Sequence, residues 1–171
     1  TGLLGNMFAV NMSVQSMDDE VLKKIKRSNI KLDHYKEVNK NLQRTGRATK
    51  AELIMPLPGE TKESFMRGIK DLVGSGVSSL TIYTLMLLNG TEFKNVQYRK
   101  EFDIKGRFRI VPLNFGEYEG EKIFDFEEVG IQTKDMPFED YLYIRGFALI
   151  IESLVNGRIF EEFFLYLKNF N

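Results

Sequence analysis

Residues 51–61 read AELIMPLPGET, and the reading of this stretch decides the architecture. Ala51 to Leu57 form a short apolar run closed by Pro58-Gly59, the pattern of a strand buried on both faces. Thr61 then opens a helix whose Phe65, Ile69, Leu72 and Val73 recur at helical spacing until Gly74 and Gly76 close it. Downstream, residues 80–88 (LTIYTLMLL) are β-branched and aromatic, the mark of another strand, ending at Asn89-Gly90. Upstream, residues 8–16 (FAVNMSVQS) alternate, with Phe8, Val10, Met12 and Val14 on one face and Ala9, Asn11, Ser13 and Gln15 on the other. Two helices fit between that strand and the quoted one. Asp18 caps the first, which carries Val21, Leu22 and Ile25 and stops at Asn29; Asp33 caps the second, with Tyr35, Val38 and Leu42 inward and Gly46 as terminator. Strands and helices that alternate in this way require parallel strands joined by crossover helices.

Beyond Gly90 the pattern changes. Residues 107–113 (RFRIVPL) and 123–133 (IFDFEEVGIQT) alternate like hairpin strands, with Gly116 and Gly120 between them. Asp135-Met136-Pro137 starts a long helix carrying Tyr141, Ile144, Ala148, Ile151 and Leu154 to a stop at Asn156-Gly157, and a last helix carries Phe160, Phe163, Phe164 and Leu167. The aromatic residues of these two helices fit core packing, with a partner-binding groove as the alternative. The expected class is α/β: residues 1–95 form a partial (β/α) barrel of about three parallel strands, and residues 96–171 a small α+β region.

Composition narrows the function. In 171 residues, 24 Lys plus Arg balance 24 Asp plus Glu, so net charge argues for neither nucleic acid nor an anionic membrane surface. No apolar run approaches the ~20 residues of a membrane-spanning helix, and a cytoplasmic location is expected. The absence of cysteine excludes disulfides, thiolate zinc sites and any iron-sulfur cluster held by this chain. Thr1 to Asn6 offer neither a starting Met nor the order of a secretory signal, so a cut end is expected.

Ligands of parallel α/β folds gather at the carboxyl ends of the strands. There the first strand ends with Asn11, Ser13 and Gln15 on one face, polar groups that need a bound ligand or one another as partners. Glu52 is a carboxylate inside an apolar run, either held by donors such as ribose hydroxyls or facing water at the rim. His34, the only histidine, lies among polar residues and reads as exposed; the acidic residues of 117–128 lack calcium-loop spacing and read as a solvated strand face.

Taken in order, NMSVQSMDDEVLKKIKRSN (11–29), AELIMPLPGETKESF (51–65) and LTIYTLMLLNGTEF (80–93) resemble the second half of a radical S-adenosylmethionine (SAM) enzyme barrel, its fourth to sixth strands. Many members show a Ser-x-Gln-Ser strand, a Leu and an Arg in the next helix, an Ile-x-Gly-Leu-Pro-Gly-Glu-Thr turn and a strand ending in Gly-Thr. The resemblance covers roughly residues 7–94. The later stretches FGEYEGEKIFDFEEVGIQT and DMPFEDYLYIRGFALIIE look like the region after the barrel in the branch with a cobalamin-binding domain.

This resemblance implies that Gln15 and Glu52 bind the ribose of SAM, that Arg27 holds its methionyl carboxylate, that Ile54 lies against the adenine, and that Ser13 is a nearby polar contact. Read without the resemblance, Arg27 is a solvated residue in a run with Lys23, Lys24 and Lys26. Pro56 stands where many relatives have Gly, which alters the backbone beside the expected site. A 4Fe-4S cluster, and cobalamin if used, would be bound by a missing N-terminal part of the same protein, and the chain alone would be inactive. The expected partners are that missing half and a small-molecule substrate, with self-association through an exposed edge strand as a further expectation. The rival reading is a non-catalytic α/β partner-binding module with a decayed SAM half-site.

Overall fold

The structure is a computed structural model that describes residues 10–29, 32–44, 48–156 and 160–169. Strands and helices alternate through its first half: β1 (Val10–Gln15), α1 (Asp19–Lys24), α2 (Leu32–Arg44), β2 (Thr49–Met55), α3 (Lys62–Gly74) and β3 (Ser79–Thr84). A 3-10 turn and α4 (Val96–Glu101) lead into a hairpin of β4 (Lys105–Tyr118) and β5 (Glu121–Gln132). Then α5 (Phe138–Ile150) runs into a π-helical turn (Ile151–Asn156), and α6 (Glu161–Lys168) follows.

Local chemistry sets the boundaries. The Asp18 carboxylate accepts from the amides of Glu20 (2.9 Å) and Val21 (3.2 Å), so α1 starts where its cap predicts. Its end comes earlier than Asn29. Lys26 adopts φ +56, and the Arg27 and Lys26 amides return to the carbonyls of Leu22 and Lys23, a Schellman closure on a residue other than Gly. At α3 the Thr61 hydroxyl accepts from the Ser64 amide while the Ser64 hydroxyl accepts from the Thr61 amide, a reciprocal cap that fixes the angle at which the helix leaves β2.

The three parallel strands lie in the order β1-β2-β3, with Ser13 opposite Glu52 and Glu52 opposite Thr81. One face of this sheet is sealed: Ala51, Leu53, Met55, Leu80 and Ile82 pack against Tyr35 of α2, Phe65, Ile69 and Leu72 of α3, and Ile144 of α5. The other face carries Ser13, Lys50, Glu52, Ile54, Thr81 and Tyr83, all partly or largely exposed. A smaller cluster of Val21, Leu57, Leu85, Leu87, Phe102 and Ile104 sits at the strand ends. The hairpin is a second, antiparallel sheet anchored there. Met86 bridges Val129, the Leu87 amide reaches the Glu128 carbonyl at 2.9 Å, and the Gly130 amide reaches Leu85 at 2.8 Å.

Beside β3 a side chain does the work of a strand. The Asn156 carboxamide accepts from the Leu80 amide and donates to the Leu80 carbonyl, both at 2.9 Å, and Arg145 donates to the Ile82 carbonyl at 3.4 Å. On the outer side of β1 no described strand pairs.

Several expectations change. β2 alternates between buried and half-buried residues, because only one side of the sheet is covered by helices. β3 ends at Thr84 rather than Leu88, since residues 85–87 turn to meet the hairpin. The hairpin strands are longer than the two alternating runs. Gly116 lies within β4, and the turn is Glu119-Gly120, both at positive φ (+52 and +84). In α2 the helix begins at Leu32, which puts Asp33 inside the first turn. Val73 is exposed, as are Phe160, Phe163, Tyr166 and Leu167, against the core positions expected of them; the side chain of Phe164 lies outside the described residues. Phe8, Ala9, Gly46 and Gly157 lie outside the described residues.

Candidate functional site: the open face of the parallel sheet

On the uncovered face, one polar residue from each strand meets at a carboxylate. Ser13 of β1 donates its hydroxyl to Glu52 Oε2 at 2.9 Å, Tyr83 of β3 donates to Glu52 Oε1 at 3.4 Å, and the Lys50 ammonium lies 3.6 Å from the same oxygen. The register explains the meeting: parallel neighbours lie about 4.8 Å apart, and Ser13 stands directly opposite Glu52, with Tyr83 one alternate position beyond Thr81. The Glu52 side chain is 21% exposed, intermediate between the buried carboxylate and the rim residue foreseen for it. A carboxylate sheltered this far, with its oxygens toward hydroxyl donors, is suited to accept hydrogen bonds from vicinal hydroxyls of a ligand.

Two residues past Ser13 the backbone leaves the ordinary strand conformation. Gln15 adopts φ +64, and the Ser16 amide returns to the Val14 carbonyl at 2.8 Å, a three-residue turn that shifts the register against β2. A left-handed non-glycine residue costs ~1–3 kcal/mol and persists only where its surroundings enforce it. Here they do. Asn29 donates to the Ser16 carbonyl at 2.6 Å, and the Ser16 hydroxyl is gripped by the buried carboxylate of Glu60, which also accepts from Ser64. Burial pushes the Glu60 carboxyl above its usual range, against the opposing pull of the two serine hydroxyls. Gly59, at φ +86, gives its amide to Asp135 at 2.9 Å, so the turn after β2 is tied both to the tip of β1 and to the segment before α5.

The sequence-predicted residues divide accordingly. Ser13 and Glu52 touch, and Ile54 lies on the same strand face as Glu52, packed on the strand-end cluster. Gln15 occupies the strained tip and makes no side-chain hydrogen bond to another described residue. Arg27 follows the end of α1, fully outside the Glu52 cluster, with an exposed side chain; Ile25, two residues before it, packs on the same cluster as Ile54. Of Asn11 the structure describes only the backbone. Tyr83 and Glu60 were missed. Tyr83 was legible as the polar alternate of the LTIYT run, whereas Glu60 reads as one more residue of a turn, since one of its two serine partners lies 44 positions away. His34 is exposed, as its sequence context predicts. The acidic run is not uniformly solvated: Glu128 is 10% exposed and holds both Lys94 and Arg99, the latter at 2.9 Å. Burial raises the Glu128 carboxyl, but the hydrogen bonds and charges of these two cations outweigh it and bring it below its ordinary value. Among the described residues, no group of three or more His, Cys, Asp or Glu side chains is placed to hold a metal ion, and no helix is long and apolar enough to cross a membrane.

A three-stranded parallel sheet with helices on one face and a convergent polar cluster on the other defines an α/β unit. Comparison with known proteins makes this more specific. The chain is 29% identical over 155 residues to the cobalamin-dependent radical SAM methyltransferase TokK of Streptomyces tokunonensis. It is 26% identical over 166 residues to a 2-(S-pantetheinyl)-carbapenam-3-carboxylate methyltransferase of Streptantibioticus cattleyicolor. These alignments take in 88% and 95% of this chain but only 22% and 24% of the relatives, so the chain spans about a quarter or less of their length. Among solved structures, the archaeal Methanocaldococcus infernus Elp3 with an N-terminal deletion superposes with a TM-score of 0.47 at 24% identity, covering 57% of this chain and 23% of that one. No protein-family model matches the sequence. The chain is related to the radical SAM superfamily, through its cobalamin-dependent methyltransferases.

Proposed function

We propose that this chain is the C-terminal part of a cobalamin-dependent radical SAM methyltransferase, in which the open sheet face is the inner wall of a partial barrel and holds SAM. The observation that carries the reading is the meeting of Ser13, Glu52 and Tyr83 across three parallel strands beside the strained Gln15. Glu52 and Gln15 bind the two ribose hydroxyls, and Ser13 and Tyr83 keep the carboxylate aimed until those hydroxyls replace them. Ile54 offers the adenine an apolar surface. Arg27, on the segment anchored through Ile25, takes the methionyl carboxylate with a charge-assisted fork. When bound, SAM supplies the transferable methyl group and the adenosyl carbon for radical chemistry. Nothing in this chain fits an iron-sulfur cluster, because it has no cysteine, so the cluster and cobalamin belong to residues outside the sequence given, and no step of their chemistry is assigned to these side chains. The outer edge of β1 is where further barrel strands would pair.

The test is made in the complete parent. Gln15→Ala and Glu52→Ala should each weaken SAM binding by about 1–3 kcal/mol, roughly 5- to 150-fold; unchanged affinity in both would discard the site. The isolated chain should bind SAM weakly or undetectably by calorimetry, since the cluster side of the site is absent. A second reading, a non-catalytic partner-binding module, is favoured by the exposed aromatic face of the hairpin, where Phe108, Ile110, Phe115, Phe124 and Phe126 are 50–69% exposed. The gene decides between them: a Cys-x-x-x-Cys-x-x-Cys motif encoded upstream of Thr1 supports the enzyme, and an upstream frame without it supports the module.

A further inference from the structure

Between the base of the hairpin and α5 lies a cleft of about 580 Å³ that contains none of the residues assigned to SAM. Its size is that of a small-molecule site. Its apolar lining is Ile131 of β5 with Phe138, Tyr141 and Leu142 of α5, and the rings of Phe138 and Tyr141 stack with centroids 5.9 Å apart and planes 15° from parallel. The rest of the lining is polar, and two of its three residues are cations. Lys105 and Arg107, alternate residues of β4, both line the cleft, and no carboxylate does.

The two cations differ in what neutralises them. The Lys105 ammonium is held by Asp103 at 2.6 Å, and Gln132 donates to the other oxygen of the same carboxylate at 3.4 Å. Arg107 makes only one side-chain hydrogen bond to a described residue, to the carbonyl of Gly106 at 3.3 Å. Its neighbours on the hairpin and α4 are matched: Arg109 pairs with Glu127 at 2.6 Å and Arg99 with Glu128 at 2.9 Å. Lys105, Arg107 and Asp103 together leave one positive charge beside an aromatic wall.

We infer that this cleft binds a small organic monoanion, an apolar ring or branched chain bearing a single carboxylate. The carboxylate pairs with the guanidinium of Arg107, whose planar fork matches its two oxygens, and the apolar body lies on Phe138, Tyr141 and Leu142. A single net charge matches a carboxylate better than a phosphate monoester, which carries nearly two at neutral pH. The inference does not depend on SAM binding and can stand if that reading falls.

The experiment is a titration of the isotope-labelled 171-residue chain at pH 7, followed by amide NMR, with 4-phenylbutyrate and separately with the neutral 4-phenylbutanamide. The acid should shift the amides of Arg107, Ile131 and Leu142 saturably and bind at least tenfold more tightly than the amide. Arg107→Gln should reduce the acid to the affinity of the amide and leave the amide unchanged, a split that a purely structural role would not produce. Leu142→Glu should weaken both. Equal binding of acid and amide, shifts confined to the Phe108 and Phe126 face of the hairpin, or wild-type affinity for the acid in Arg107→Gln would each overturn the assignment.

Discussion

Glu60 shows how one side chain holds a strained neighbour in place. It is buried, and its two oxygens are taken by Ser16 and Ser64, so it links the tip of β1 to the first turn of α3. Because burial raises its pKa from the ordinary 4.5, the folded state binds the proton more tightly than the unfolded one. Its contribution to stability is therefore complete at acid pH, below that ordinary value, and is lost as pH rises through the raised folded value. Urea unfolding of the wild type should show stability declining across that interval, whereas Glu60→Gln should flatten the decline and equal or exceed the wild type at pH 7. A decline of equal size in the variant would show that another group titrates there. Sequence reading reached Ser13 and Glu52 because a polar residue in an apolar or alternating strand is locally conspicuous. It could not reach Glu60, one of whose two serine partners is far away in sequence.

Among the elements, the hairpin is the least supported. Two strands without a third are marginal in water, and beyond the Met86 bridge neither face of β4 and β5 packs on the parallel sheet. Its turn places Glu119 at φ +52, a position that Asn fills with less strain, followed by Gly120. Glu119→Asn should raise the hairpin's stability by about 0.5–1 kcal/mol, read as slower hydrogen exchange of the amides on either side of the turn. Faster exchange would show that the glutamate side chain contributes something the turn geometry does not reveal. The caps at Asp18 and Thr61 were legible because capping is local chemistry, with donor and acceptor three residues apart or fewer. The ends of β3 and β4 were not legible. Apolar residues 85–88 look like more of the same strand, and only the bridge to Val129 shows that the chain has turned.

For the molecule as a whole, the alternation of residues 10–84 tells which strands are parallel, but not that α5 joins their core. Met136, Ile144 and Ile151 complete the cluster around Leu53 and Leu80, a long-range contact that periodicity cannot announce. The consequence is a gradient of protection. Native-state hydrogen exchange should be slowest in β2, which is paired on both sides and under the helices, and fastest toward the hairpin tip. Protection of β1 equal to that of β2 would mean that a further strand pairs with the outer side of β1 in solution. The carboxamide of Asn156 bears on the same question from the far side. By plugging the backbone of Leu80 it makes enlargement of the sheet one-sided: any added strand, from a longer parent or from a neighbouring molecule, has a berth at the N-terminal flank and a stopper at the other. Replacing that asparagine with leucine would free the backbone of Leu80 and leave only Arg145, at the Ile82 carbonyl, to guard the second flank against edge-to-edge association.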